Sequence, residues 1–180
     1  MDLYQTALNI ATVAHKEQIR KHNGSPYVVH PIMVARYLEQ AGFKEEVVAA
    51  GLVHDVLEDT DFSEADLREA LGSEVVEMVL AVSEDKNLVW EERKEKYVES
   101  VLSASESVWA LSVADKIHNA QDFIEHYAIS GPAGWQVFNR GKDKKIWFER
   151  LLLSQLQLVW QHPLLDQYAA LVDELEKLSD

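Results

Sequence analysis

The 180-residue chain is 47% hydrophobic and 27% charged, as one folded domain usually is, and no run approaches the ~20 apolar residues of a membrane span. Its 17 basic and 31 acidic residues give a formal charge of -14, which argues against a nucleic-acid or anionic-membrane partner, since both need Lys and Arg to neutralise phosphate. The absence of cysteine excludes disulfides and thiolate catalysis, and the start Met1-Asp2-Leu3-Tyr4-Gln5 lacks a secretory pattern, so a reducing, cytoplasmic setting is expected.

Helical periodicity dominates and strand patterns are nearly absent, which predicts an all-α bundle of one domain over residues 1–180. Leu3, Ala7, Ile10, Ala11 and Ala14 define a first helix fraying near Arg20, followed by the loop chemistry of His22-Asn23-Gly24-Ser25-Pro26. Pro31 suits the first position of a helix from Ile32 to Gln40, which Gly42 ends. A third helix is expected from Glu45 to Glu58. Ser63 with Asp66 caps a short helix that Gly72 stops after Leu71, and Ser73 to Val82 follows. Glu84 to Val89 reads as a polar loop, and Glu91–Leu102 and Ser107–Tyr127 as further helices. The strongest break is Ile129-Ser130-Gly131-Pro132-Ala133-Gly134, expected to be an active-site loop because too few residues follow to form a second core. Helices Lys144–Gln161 and Leu164–Leu178 complete the chain, separated by Pro163.

The chemistry concentrates in Val53-His54-Asp55-Val56-Leu57-Glu58-Asp59-Thr60, where four polar side chains interrupt an apolar helix. Helical spacing brings His54, Asp55, Glu58 and Asp59 toward one helix end, and burying carboxylates there calls for a nearby positive charge. A divalent cation fits, because imidazole with carboxylate suits Mn, Fe, Co or Zn. His30, ahead of Pro31, and Asp115, in an apolar helix, would complete a set of two imidazoles and two carboxylates. Each has a plainer reading when taken singly: His-Asp as a helix cap or surface pair, His30 as an N-cap, Asp115 as partner of Lys116 or Arg93. His118 could wall the pocket, whereas His15, His22, His126 and His162 read as ordinary surface or core histidines. Arg20-Lys21, Arg93-Lys94-Lys96 and Arg140, Lys142, Lys144, Lys145 form local basic clusters. They are either solvated helix faces or the wall of a small phosphate-accepting pocket in an acidic body.

Pro26-Tyr27-Val28-Val29-His30-Pro31, His54-Asp55-Val56-Leu57-Glu58-Asp59-Thr60 and Ala114-Asp115-Lys116-Ile117-His118-Asn119, in that order, resemble the HD superfamily of metal-dependent phosphohydrolases. Within it the series is most similar to the hydrolase domain of RelA/SpoT proteins and to stand-alone small alarmone hydrolases. The resemblance spans residues 14 to 119. It implies an HD-fold helical bundle with one Mn²⁺ on His30, His54, Asp55 and Asp115, and Glu58 and Asp59 as the catalytic acidic pair. It also implies substrate contacts from Arg20, Lys21, Lys94 and Asn119, and Phe148 can stack on the base where the family often offers a Tyr; Lys142, from the last basic cluster, is a further candidate contact. The reaction implied is release of the 3′-pyrophosphate of guanosine tetra- or pentaphosphate, with a small phosphorylated nucleotide as partner and a homo-oligomer left open. Gln121 stands where the family usually has Arg, and the C-terminal third departs from the alarmone hydrolases. An HD phosphohydrolase for another metabolite, such as a nucleoside monophosphate, and a non-catalytic nucleotide-sensing module are therefore the alternatives.

Overall fold

At the centre of the molecule lies α3 (Glu45–Val53), whose residues from Val47 to Val53 are apolar and buried on every side. A helix that is apolar all round forms only where others enclose it. Here α1 (Leu3–Ala14), α2 (Val29–Gln40), α6 (Ser73–Val82) and α8 (Glu106–Ser130) all pack on it. The computed structural model describes residues 2–21 and 23–180. Their only β pairing is the isolated Ile19–Pro26 bridge, so the architecture is the expected all-α bundle. The remaining helices are α4 (Val56–Asp59), α5 (Glu64–Leu71), α7 (Trp90–Ser103), α9 (Gly141–Val159) and α10 (Pro163–Lys177), with a 3-10 segment at Gly131–Val137.

Three local features set the frame of the site. A Cβ on Gly51 would lie 2.8 Å from Leu38 Cδ1 and 3.1 Å from Ala35 Cα, so α3 approaches α2 nearly backbone to backbone. At the far end of α2, Gly42 with φ +82° allows Phe43 N–H to reach Leu38 O at 3.1 Å and Gly42 N–H to reach Glu39 O at 3.0 Å, satisfying the last carbonyls. Beside α8, Phe123 packs on Trp135 with ring centres 4.5 Å apart and on Phe138 at 4.9 Å. These contacts hold the 3-10 segment and the residues after it against the helix.

The structure moves several expected boundaries. The first helix stops at Ala14, because the His15 side chain is drawn into the core and Nδ1 meets Gln18 Oε1 at 2.8 Å. Beyond it the chain pairs across its own loop, with Arg20 N–H on Ser25 O and Tyr27 N–H on Gln18 O, instead of extending the helix. His22, expected in that loop, lies outside the described residues. α2 begins at Val29, which makes Pro31 its third residue; the missing N–H is tolerated there because first-turn donors have no intrahelical acceptor. The helix expected from Glu45 to Glu58 is broken at His54-Asp55 into α3 and α4. α8 continues to Ser130 before Gly131, at φ +59°, turns the chain into the 3-10 segment, so the break is wound rather than open. α9 starts at Gly141 and ends at Val159, ahead of the expected limits, whereas α5, α6, α7 and α10 fall within a residue of theirs.

Candidate metal centre and substrate cavity

His30 enters from the first turn of α2, His54 from the break after α3, and Asp115 from the middle of α8. One ligand atom from each lies within 4.8 Å of the others. His30 Nε2 is 3.1 Å from Asp115 Oδ1, and His54 Nε2 is 3.8 Å from the same oxygen. Asp55 stands at the edge of this triad, with Oδ2 3.2 Å from His54 Nε2 and 3.5 Å from His30 Nε2. The four residues expected to hold a metal are thus gathered from three separate helices.

The surrounding hydrogen bonds aim the donors. His54 Nδ1 donates to Gly51 O at 2.8 Å, which directs Nε2 inward, and this buried nitrogen has no hydrogen-bond partner among the protein atoms. His30 Nδ1 meets His118 Nδ1 at 2.8 Å. One proton satisfies that pair if His30 donates and His118 accepts, which leaves the lone pair of His30 on Nε2. His118 suits the accepting role, since burial and the nearby His30 and Arg20 push its pKa down to about 4. Tyr27 Oη donates to Asp55 Oδ2 at 2.6 Å, and Lys116 Nζ donates to Asp115 Oδ2 at 2.8 Å, leaving Asp115 Oδ1 facing the imidazoles.

Burial opposes ionisation of Asp115, yet Lys116 and the two histidines outweigh it and hold the carboxyl well below its usual range. Asp55 is lowered in the same way, with His54 and His30 overcoming burial. Burial lowers His30, while Asp55 and Asp115 overcome burial at His54 and hold a proton there. A divalent cation can take the place of that proton, since two ionised carboxylates and two inward-facing ring nitrogens form a donor set suited to a first-row transition metal. The unpartnered His54 Nε2 and the second contacts to Tyr27, Gly51, His118 and Lys116 fit such a group.

Glu58 and Asp59 lie on α4, one turn beyond Asp55. Glu58 Oε2 accepts the Glu84 N–H at 3.0 Å, and its pKa is raised, first by burial and then by repulsion from Asp55, Glu84 and Asp59. Lys86 Nζ donates to Asp59 Oδ1 at 2.6 Å and to Glu58 O at 2.7 Å, and Gln18 Nε2 donates to Asp59 O at 2.7 Å. The acidic pair is thereby fixed from two loops.

A cavity of about 490 Å³ is lined by Arg93 and Lys94 of α7, by Lys116 and Asn119 of α8 (both bonded to Asp115), by Arg140, and by Lys145 and Phe148 of α9. Arg93 and Lys94 from one basic cluster read in the sequence, and Arg140 and Lys145 from another, therefore share one pocket wall, with Lys94 Nζ 4.5 Å and Lys116 Nζ 5.4 Å from the Phe148 ring centre. Glu84 forms ion pairs with Lys94 and with Arg93, the latter at 2.8 Å. Arg93 Nε is also buried without a well-angled hydrogen bond, so that contact is an ion pair by proximity only. Asn119 is fully engaged, its Nδ2 donating to Asp115 Oδ1 and its Oδ1 accepting from Arg20 at 3.0 Å.

The other expected contacts fall elsewhere. Arg20 is bound to Asp122, with Nε at 2.9 Å, and lines a separate cavity with His30 and His118. Lys21 is exposed. Lys142 turns away, its Nζ donating to Leu178 O at 2.6 Å and lying 3.1 Å from Asp180. Lys144 and Lys96 pair with Glu91 and Glu92 on the surface. The sequence reading offered Arg140 and Lys145 only as members of a basic cluster, and did not single out Tyr27 or Lys116 as site residues. For Lys116 the available signal was a lysine within an apolar helix beside a candidate ligand.

A family model described as HD domain matches residues 7–130, more than half of the chain. Over 133 residues the chain is 36% identical to a guanosine-3′,5′-bis(diphosphate) 3′-pyrophosphohydrolase of Danio rerio, covering 72% of each protein. The crystal structure of lmo0812 from Listeria monocytogenes EGD-e superimposes with a TM-score of 0.77 at 38% identity, covering 86% of this chain and all of that one. A second solved structure, described as a metazoan ortholog of SpoT that hydrolyzes ppGpp, gives a TM-score of 0.80 at 26% identity over 99% and 98% of the two chains. The chain belongs to the HD domain family. The fold and the buried His–His–Asp cluster accordingly define a metal-dependent hydrolase that uses a divalent cation. No helix of the described residues is long and apolar enough to cross a membrane.

Proposed function

We propose that this chain removes the 3′-pyrophosphate of guanosine 3′,5′-bis(diphosphate), with Mn²⁺ on His30, His54, Asp55 and Asp115. The carrying observation is the basic cavity beside Asp115, where five cationic side chains and an aromatic floor accompany a metal cluster in an otherwise acidic protein. The pyrophosphohydrolase named for the Danio rerio relative and the ppGpp hydrolysis named for the SpoT ortholog support the same substrate. When bound, the divalent ion supplies a Lewis acid that polarises a phosphoryl oxygen and acidifies a water.

The protein's own groups do the rest. Lys94, Lys116, Arg140 and Lys145 bind the phosphate chain and offset the charge that builds on it, while Phe148 packs beneath. Glu58, held less acidic than an ordinary carboxylate by burial, takes the proton of the attacking water and passes it to the departing ribose 3′-oxygen. Asp59, held by Lys86 and Gln18, orients that water. The P–O bond to the ribose breaks, giving GDP and pyrophosphate. Residues 1–180 form one HD-type unit in this reading, because α9 supplies Lys145 and Phe148 to a cavity otherwise built on α7, α8 and the segment that precedes α9. A small nucleotide is the partner, nucleic acid and membrane are not, and the setting is cytoplasmic.

Product analysis of ppGpp incubated with the purified protein and Mn²⁺, with and without chelator, tests the proposal. Chelator-sensitive release of GDP and pyrophosphate is expected. Turnover of a nucleoside monophosphate but not of ppGpp would transfer the same machinery to a different substrate.

A further inference from the structure

Glu149 is the most deeply buried carboxylate with no part in the chemistry above: its side chain is 1% exposed on α9, away from the metal cluster. An isolated carboxylate at that depth costs several kcal/mol of desolvation, so its partners reveal why the charge is tolerated. One oxygen accepts from Lys145 Nζ, one helical turn earlier, and the other from Tyr168 Oη of α10. Tyr168 Oη also lies 3.2 Å from Glu149 O, but its single proton goes to the nearer carboxylate oxygen. Lys145 and Lys116 both line the basic cavity, while Glu149 and Tyr168 do not.

We propose that Glu149 is a positioning residue for the basic cavity: it fixes the Lys145 ammonium, so an anionic substrate meets a lysine already in place. Tyr168 locks Glu149 and thereby ties α10 to substrate binding. Holding a long lysine before binding removes an ordering cost that would otherwise weaken affinity. The proposal rests on the reading of this cavity as the phosphate-binding one.

The test is a double-mutant cycle of Glu149→Gln and Lys145→Ala on the full-length Mn²⁺-loaded protein, with KM and kcat measured for ppGpp. Glu149→Gln keeps the shape of the side chain and should raise KM about tenfold while kcat stays within about twofold, the signature of lost ground-state binding. It should add little in the Lys145→Ala background. Glu149→Asp should recover part of the loss, and Tyr168→Phe, which keeps the packing, should reproduce a smaller rise. A fall in stability and active fraction with unchanged KM would make Glu149 a merely structural anchor and overturn the proposal. An unchanged KM in Lys145→Ala would instead overturn the cavity reading, and the proposal with it. If the wild type leaves ppGpp intact, the same cycle is read as the dissociation constant for inorganic pyrophosphate in chelator-treated protein. There, equal affinity of wild type and Glu149→Gln refutes the positioning role.

Discussion

Gly51→Ala tests whether the contact between α2 and α3 sets the metal geometry. In a helix interior alanine is favoured over glycine by about 1 kcal/mol. The new methyl, however, would sit 2.8 Å from Leu38 Cδ1 and 3.1 and 3.2 Å from the backbone of Ala35. The leucine end can rotate away, but the helix backbone cannot, so α3 must withdraw by a few tenths of an ångström. Overpacking of this kind costs about 1–3 kcal/mol, which leaves a net loss of about 1 kcal/mol and a Tm lower by about 2–4 °C for a chain of this size. The withdrawal carries a second effect. Gly51 O anchors the His54 ring, while Ala35 shares α2 with His30, so the two imidazoles move relative to one another. A tenfold weaker metal site lowers metal-linked stabilisation by about 1.4 kcal/mol, so the Tm gain on adding Mn²⁺ should shrink by a further about 3–6 °C. Thermal melts of both proteins with chelator and across a Mn²⁺ titration separate the two effects. An unchanged metal-induced gain in a destabilised variant would show that the site is not set by this contact. An unchanged Tm would refute the packing argument itself.

His54→Ala and Asp55→Ala should abolish metal binding with little loss of helix content, by metal analysis and far-UV circular dichroism; full metal stoichiometry with full activity would remove them from the ligand set. Glu58→Gln should keep the metal and lower kcat by about 10²–10⁴-fold, the usual share of a general base. Because burial and neighbouring carboxylates raise its pKa in the folded state, Glu58 favours folding most below its unfolded pKa and loses that contribution as pH rises through the folded value. In chelator-treated protein Glu58→Gln should therefore be more stable than wild type at pH 7, with the difference vanishing near pH 4; an unchanged ranking across that range contradicts the assigned shift. Arg140→Ala should raise the KM for ppGpp about tenfold, whereas Lys142→Ala, whose ammonium faces Leu178 and Asp180, should leave it unchanged; equal effects would move the cavity boundary.

Much of the bundle was legible in the sequence because it follows from local chemistry. Ser63, Gly72 and Pro163 delimit helices through capping and backbone preference alone, and α5, α6, α7 and α10 appear where expected. The errors cluster where a buried histidine competes with the helix. His15 turned into the core ends α1, and the His54 ring bonded to Gly51 O accompanies the break between α3 and α4. Composition and motif order alone pointed to a metal, because buried carboxylates beside histidines require a counter-charge wherever the chain carries them.

Which cations line the cavity was decided only in three dimensions. Arg140, Lys142, Lys144 and Lys145 are near neighbours in sequence, yet Arg140 and Lys145 line the cavity, Lys144 pairs with Glu91 and Lys142 reaches the C-terminus. Helical rotation of about 100° per residue sends adjacent side chains to different faces, and the face that matters is the one the packing of α9 on α7 and α10 turns inward. The same holds for Arg20, whose buried pairing with Asp122 joins residues about a hundred positions apart. The sequence determined that this chain builds a helical bundle around histidines and carboxylates; the tertiary packing decided which charges remain facing the cavity, because pairing depends on distances that no local pattern encodes.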